Sequence, residues 1–226
     1  MLTLTNDTPV QSTTTITSTP VQQEAKVTIN KTGVKEQPVS VSTVNISNNQ
    51  ALCVTPAVLQ GYKQLSPDKI PGNIIKMLNE DWMLITAGTD AKYNMMTASW
   101  GGLGVLYGKP TITCFINPTR YTYQLMEANE TYTLTFYTEA YREALQYCGS
   151  NSGRDKDKVK GSGLTPITTP SGSKAFSEAW LIIECRKMVG QSLSHDALFD
   201  EKVKNEWVGK QLHKMYIGEI MNVWVK

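Results

Sequence analysis

The run Asn94-Met95-Met96-Thr97-Ala98-Ser99-Trp100-Gly101-Gly102-Leu103-Gly104 gathers short side chains, hydroxyls and glycines around one indole. Small side chains let a flat ligand lie against the main chain, where peptide N–H and C=O groups can read its edge. Further along comes Pro118-Thr119-Arg120-Tyr121-Thr122, a pattern that predicts a helix start carrying a guanidinium and two hydroxyls. Free N–H groups, the positive end of a helix dipole and an Arg together suit a phosphate. A reader of planar edges followed by a phosphate clamp suggests a flavin mononucleotide.

Other chemistries find less support. Cys53, Cys114, Cys148 and Cys185 are widely spaced, and His195 and His213 stand at no metal-ligand spacing from them or from each other. Zinc is therefore not expected. Met1 to Val10 lacks the basic start and apolar stretch of a secretory signal, so a cytoplasmic location and buried free thiols are expected rather than disulfides. A net charge of +2 over 226 residues gives no electrostatic case for nucleic acid or an acidic membrane surface. No apolar run reaches the length of a membrane helix.

These residues need elements to position them. Residues 1–60 hold no Phe, Trp or Tyr and are dominated by Thr, Ser, Val, Gln and Asn. Such a segment buries too little apolar area to offset its ordering entropy, which predicts a disordered or loosely attached tail. A rival reading has residues 39–46 adding an edge strand, since Val and Thr suit strands. Residues 61–226 read as the folded domain. Helices are expected at 73–79, 121–128 and 140–147, the last ending at Cys148-Gly149. Strands are expected at 82–87, 111–116, 132–137, 179–188 and 215–225, with a Gly-interrupted strand or strand–loop over 97–105. Residues 150–169 read as mostly loop with a helical turn near 155–159, and 196–207 as mixed helix and loop. Strict alternation over 215–225 puts Tyr216, Gly218, Ile220, Asn222 and Trp224 on one face. Several strands without regular βαβ alternation predict a mainly β fold, an antiparallel barrel with peripheral helices.

From about Tyr62 to Lys226 the chain resembles the flavin reductase-like, flavoredoxin-type proteins of the FMN-binding split-barrel group. The matching pieces are Asp81-Trp82-Met83-Leu84-Ile85-Thr86-Ala87-Gly88, the Asn94 to Gly104 run, Pro118 to Tyr123, Cys148 to Asp155, Asp157-Lys158 and Tyr216-Ile217-Gly218-Glu219-Ile220. They stand in the family's order and spacing. The resemblance implies a six- or seven-stranded split β-barrel that works as a homodimer, with non-covalent FMN at the interface and NADH or NADPH, or a protein, as electron donor.

The resemblance also assigns roles, each beside a plainer reading. Asn94, Thr97, Ala98, Ser99 and Trp100 match the segment that reads the isoalloxazine edge; otherwise they make a Gly-rich strand corner around a core Trp. Thr119, Arg120 and Thr122 match the phosphate site; otherwise Thr119 caps an ordinary helix. Ser152, Arg154 and Lys158 fall on a segment that approaches the phosphate or ring; otherwise Arg154 to Lys158 is a self-paired surface. His195 matches a loop His near the reactive face of the ring, able to orient a donor or supply a proton; otherwise it bonds locally to Asp196. His213 reads as a dimer-contact residue or one that begins the last strand. Three functions follow: an FMN-dependent oxidoreductase, an electron carrier reduced by a protein partner, and a flavin-binding module without catalysis.

Overall fold

The computed structural model describes residues 58–226, so the proposed tail and its alternative strand at 39–46 lie outside the described residues, as does Cys53. In chain order the elements are β1 (Lys63–Leu65), α1 (Ile74–Lys76), β2 (Met83–Thr89), β3 (Lys92–Ala98), β4 (Gly101–Leu106), β5 (Lys109–Ile116), α2 (Tyr121–Ala128), β6 (Thr131–Phe136), α3 (Arg142–Ser150), α4 (Lys158–Ser162), β7 (Pro166–Thr168), β8 (Lys174–Phe176), β9 (Leu181–Ser192), α5 (Glu201–Trp207) and β10 (Lys214–Val225). A wide π turn, Met77–Asp81, joins α1 to β2.

The main sheet is antiparallel in the order β3-β2-β6-β9-β10-β5-β4, with β1 added to the far end of β10 and β7–β8 as a separate hairpin. The two edge strands, β3 and β4, are consecutive in sequence. Ala98 ends one edge and Gly101 begins the other, so Ser99 and Trp100 alone bridge them. Three Cα steps reach at most about 11 Å. The sheet must therefore curl until its edges nearly meet, which is a split barrel. Edge strands carry unpaired main-chain groups, so the seam offers peptide donors and acceptors beside the bridging residues.

The barrel is filled by one apolar cluster that includes Ile85, Ile112, Ile116, Leu134, Phe136, Leu181 and Ile183, all fully buried. A second cluster packs the outer face of the sheet against α3 and the β7–β8 hairpin through Leu84, Met95, Leu145, Phe176, Ile182 and Trp224. Each such side chain contributes about 1.5–3 kcal/mol when fully buried. β6 and the first half of β9 are buried on both faces for this reason.

Several expected boundaries shift. Strand 97–105 divides into β3 and β4, and β3 begins at Lys92. Gly149 does not stop α3: the helix runs on to Ser150 and is capped at Asn151, whose Nδ2 donates to Tyr147 O at 3.0 Å. A Cβ on Gly149 would lie 3.3 Å from Thr97 Cβ, so that glycine serves close helix–strand packing. The turn expected near 155–159 forms at α4, with Asp157 as its cap accepting from Lys160 N. The alternation expected along β10 fails at Met221, an extra residue between the Ile220–Cys185 and Asn222–Glu184 pairs. This bulge turns Val223 inward and sends Trp224 to the outer cluster. The barrel has seven strands along its path and β1 as an eighth.

Candidate functional site

Three adjoining cavities meet at Arg120, beside the seam. The first, about 190 Å³, is lined by Asn94, Met96, Thr119, Arg120, Tyr121, Thr122, Ser150, Asn151, Ser152, Gly153, Arg154 and Lys158. Three of these are cations and none is a carboxylate. The second, about 170 Å³, lies along Thr97, Ala98, Ser99 and Trp100 and reaches Phe115, Asn117 and His213. The third, about 580 Å³, borders Thr97, Ala98 and Ser99 on the side of Trp82, Leu145 and Gln146.

The first cavity is built at an uncapped helix start. Arg120 is the N-cap of α2, and its side chain makes no capping bond. Asn117 intercepts Thr119 instead: its Oδ1 accepts from Thr119 N at 3.0 Å and Thr119 Oγ1 at 2.8 Å. Thr119 therefore stands one residue ahead of the cap and does not close the helix. Tyr123 N donates to Arg120 O at 3.0 Å, which leaves the amides of Tyr121 and Thr122 to an external acceptor. Arg120 Nη1 donates to Gly149 O at 3.2 Å, and Arg154 Nη1 to Thr119 O at 3.1 Å, which ties α2 to α3 and to the segment after it. The Tyr121 ring carries Arg154 5.4 Å and Lys92 5.6 Å from its centroid.

Lys158 is the telling residue. It is 6% exposed. Its Nζ donates to Cys148 O at 2.6 Å and Met95 O at 2.8 Å. An ammonium has three donors, and these two carbonyls carry no formal charge. Burial pulls its pKa below the usual lysine range, with the Cys148 thiol opposing and Arg120 adding to the fall. A buried cation beside a second cation is costly unless an anion completes it. On the cavity floor Asn94 Nδ2 donates to Thr122 Oγ1 at 2.9 Å, both buried. Gly153 makes this approach possible, since a Cβ there would lie 2.1 Å from Asn94 Oδ1.

The sequence-derived ring and phosphate residues thus come together: Asn94, Thr119, Arg120, Thr122, Ser152, Arg154 and Lys158 line the first cavity, and Thr97, Ala98, Ser99 and Trp100 the second. His195 does not join them. It begins an exposed turn, His195–Ala197, in the excursion between β9 and β10, and lines none of the three. His213 is the histidine at the seam: its ring centroid lies 4.9 Å from that of Trp100 and 5.2 Å from that of Trp207. Burial, then the Arg120 charge, lowers its pKa below the usual histidine value, which favours the neutral ring. Sequence spacing puts His213 at the head of β10, but nothing in the sequence puts it against Trp100. Trp82 was also missed as a lining residue.

Among the described residues no group of His, Cys, Asp and Glu is arranged to hold a metal ion. Cys114, Cys148 and Cys185 are buried and unbridged. No helix among them is long and apolar enough to cross a membrane.

Comparison with known proteins adds the family. The model of the flavin reductase like domain matches residues 78–226. No curated protein matches the chain. Among solved structures, flavoredoxin of Desulfovibrio vulgaris (Miyazaki F) is similar at 24% identity and a TM-score of 0.51, over 64% of this chain and 69% of that one. An FMN-binding protein from Thermus thermophilus is similar at 17% identity and 0.52, over 74% and 80%. The NADH:FAD oxidoreductase SgcE6 of Streptomyces globisporus C-1027 is similar at 14% identity and 0.51, over 65% and 75%.

Proposed function

This chain belongs to the flavin reductase-like family, and from that premise we propose that it is an FMN-binding oxidoreductase that takes electrons from NADH or NADPH and passes them to flavin or another acceptor. The observation that carries the proposal is the carboxylate-free cavity of Arg120, Arg154 and buried Lys158, set beside the main chain of the barrel seam. The donor set fits a phosphate monoester. Lys158 has a third proton to offer, α2 presents uncapped amides, and each guanidinium adds charge-assisted bonds.

Bound FMN would supply reversible two-electron chemistry. The chain would do the rest. Arg120, Lys158 and Arg154 would hold the phosphate, with Thr119, Thr122 and Ser152 as hydroxyl partners. The segment from Thr97 to Trp100 would read the ring edge with main-chain groups, and Asn94 would keep the floor in register. His213 lines the cavity beside Trp100 and is placed there to exchange a proton; we prefer it to His195 for that role. Hydride transfer needs donor and acceptor stacked at near contact more than it needs a protein base.

We further propose that a second copy of the chain covers the seam. Trp100 is 53% exposed, and edge strand β4 presents Val105 at 76% and its hairpin Tyr107 at 82%. Large apolar side chains left exposed along one unpaired edge suit an interface. A cytoplasmic location accords with three unbridged thiols.

The test is the absorption spectrum of the purified protein. A flavin spectrum bleached under argon by NADH or NADPH is the expected result. A flavin spectrum untouched by either nicotinamide, but bleached by a reduced low-potential protein, would leave an electron carrier. A chain that takes up no FMN would sink both readings.

A further inference from the structure

Trp82 holds a backbone conformation that its own side chain disfavours. It stands at φ 65°, ψ 170°, a region that glycine alone occupies without strain. The π turn Met77–Asp81 leads into it, and β2 leaves directly from it. Such turns concentrate at functional positions. A glycine would relieve the strain, yet the position carries an indole.

That indole is clamped. The Arg142 guanidinium lies over the ring, 4.4 Å from its centroid. Arg142 is fixed in turn by Glu139, with Nη2 donating at 2.9 Å and Nε at 3.2 Å to the same carboxylate. Trp82 packs at the margin of the outer cluster but is only half-buried, so core filling accounts for one side of its ring and not the other. It lines the cavity of about 580 Å³ together with Thr97, Ala98 and Ser99. This cavity joins the phosphate cavity through Arg120 and Ser150, which line both.

We infer that Trp82 is a ring-contact residue: its indole, held by Arg142, forms the wall against which the planar part of the bound ligand lies. The inference rests on the FMN reading above. A clamped aromatic wall offers a large contact area while losing little side-chain freedom on binding. It also accounts for the retained strain, since a relaxed backbone at residue 82 would aim the side chain elsewhere.

The test compares the full wild-type chain with Trp82→Gly, Trp82→Phe and Trp82→Leu. FMN affinity is read from flavin fluorescence at fixed salt, and unfolding temperature is read without FMN. Trp82→Gly is expected to bind FMN about tenfold more weakly, the size of one aromatic contact, and Trp82→Phe to stay within about threefold. Trp82→Leu fills space without a π face, so it decides the case if the glycine variant is unstable. It should lose affinity at an unfolding temperature close to that of Trp82→Phe. Wild-type binding together with unaltered affinity in the Gly and Leu variants overturns the inference alone. A wild-type chain that leaves FMN fluorescence unchanged overturns the flavin reading and this inference with it.

Discussion

Lys158 shows how much one side chain can say once its surroundings are known. In sequence it is one charge of a run that alternates in sign, and self-pairing is an equally good account. In the fold it leaves that run. Asp157 turns its carboxylate to Lys160 N, while Lys158 is drawn inward to two carbonyls. A cation placed there has an outstanding need for negative charge. Lys158→Met should lower FMN affinity by about 10- to 100-fold, the worth of a charge-assisted bond. Riboflavin, which has no phosphate, should bind both proteins alike, and parallel titrations check this. Equal losses for the two flavins would mean that the variant had deformed the whole cavity.

His213 supports a second prediction at the same scale. Its pKa in the fold is lowered, chiefly by burial and further by Arg120. Below the ordinary histidine range, near 6.5, the unfolded chain therefore takes up a proton before the folded one does. Stability is fully present above that range and is lost as pH falls towards the lowered folded value. Unfolding temperature should thus decline between pH 7 and pH 5 by an amount that shrinks in His213→Asn. An unchanged slope in the variant would show that other groups carry the decline.

At the scale of elements, apolar periodicity located most strands and helices because the barrel interior needs apolar side chains at period 2. Thr111 to Ile116 and Thr131 to Phe136 are plain in the sequence for that reason. What stayed hidden depends on contacts distant in the chain. β1 is three residues that exist only by pairing with β10. The Met221 bulge has no local signature, although it reverses which face Val223 and Trp224 occupy. Gly149 reads as a helix stop until Thr97 appears beside it. The site was more legible than its supports, since the residues proposed for ring and phosphate fall in compact runs, whereas Trp82 reaches its cavity through the β2–β3 pairing and His213 meets Trp100 across the β10–β5–β4 pairing.

Gly153 tests that dependence on supports. A methyl group there would drive into the Asn94 carboxamide and crowd the Tyr121 ring, at 3.1 Å from its Cδ1. Gly153→Ala is expected to destabilise the chain by about 1–3 kcal/mol through overpacking. It should also weaken FMN binding, because the Asn94–Thr122 bond on the cavity floor would be displaced. Gly163→Ala, a change in open space though at φ 71°, should cost stability with little effect on binding. Denaturant unfolding and flavin titration of the pair separate the two effects.

For the described domain as a whole, the decisive fact is that consecutive strands form opposite edges of one sheet. Curling brings the edges together, yet Ser99 and Trp100 leave the seam short of a continuous ladder, and β4 remains an edge with exposed apolar side chains. An unprotected edge of this kind invites pairing or cover. The segment proposed to read the ring lies on that seam, so a partner covering β4 would also lie beside the cavities along Thr97 to Trp100. Val105→Lys places a charge at an exposed position of β4 that lines none of the three cavities. If a second copy supplies the cover, the variant should elute as a monomer where the wild type elutes as a dimer in sedimentation or size-exclusion measurements. Its FMN affinity should fall with it, and raising protein concentration should recover both together. A wild type that is monomeric at every concentration and binds FMN at full strength would mean that a single barrel completes the site.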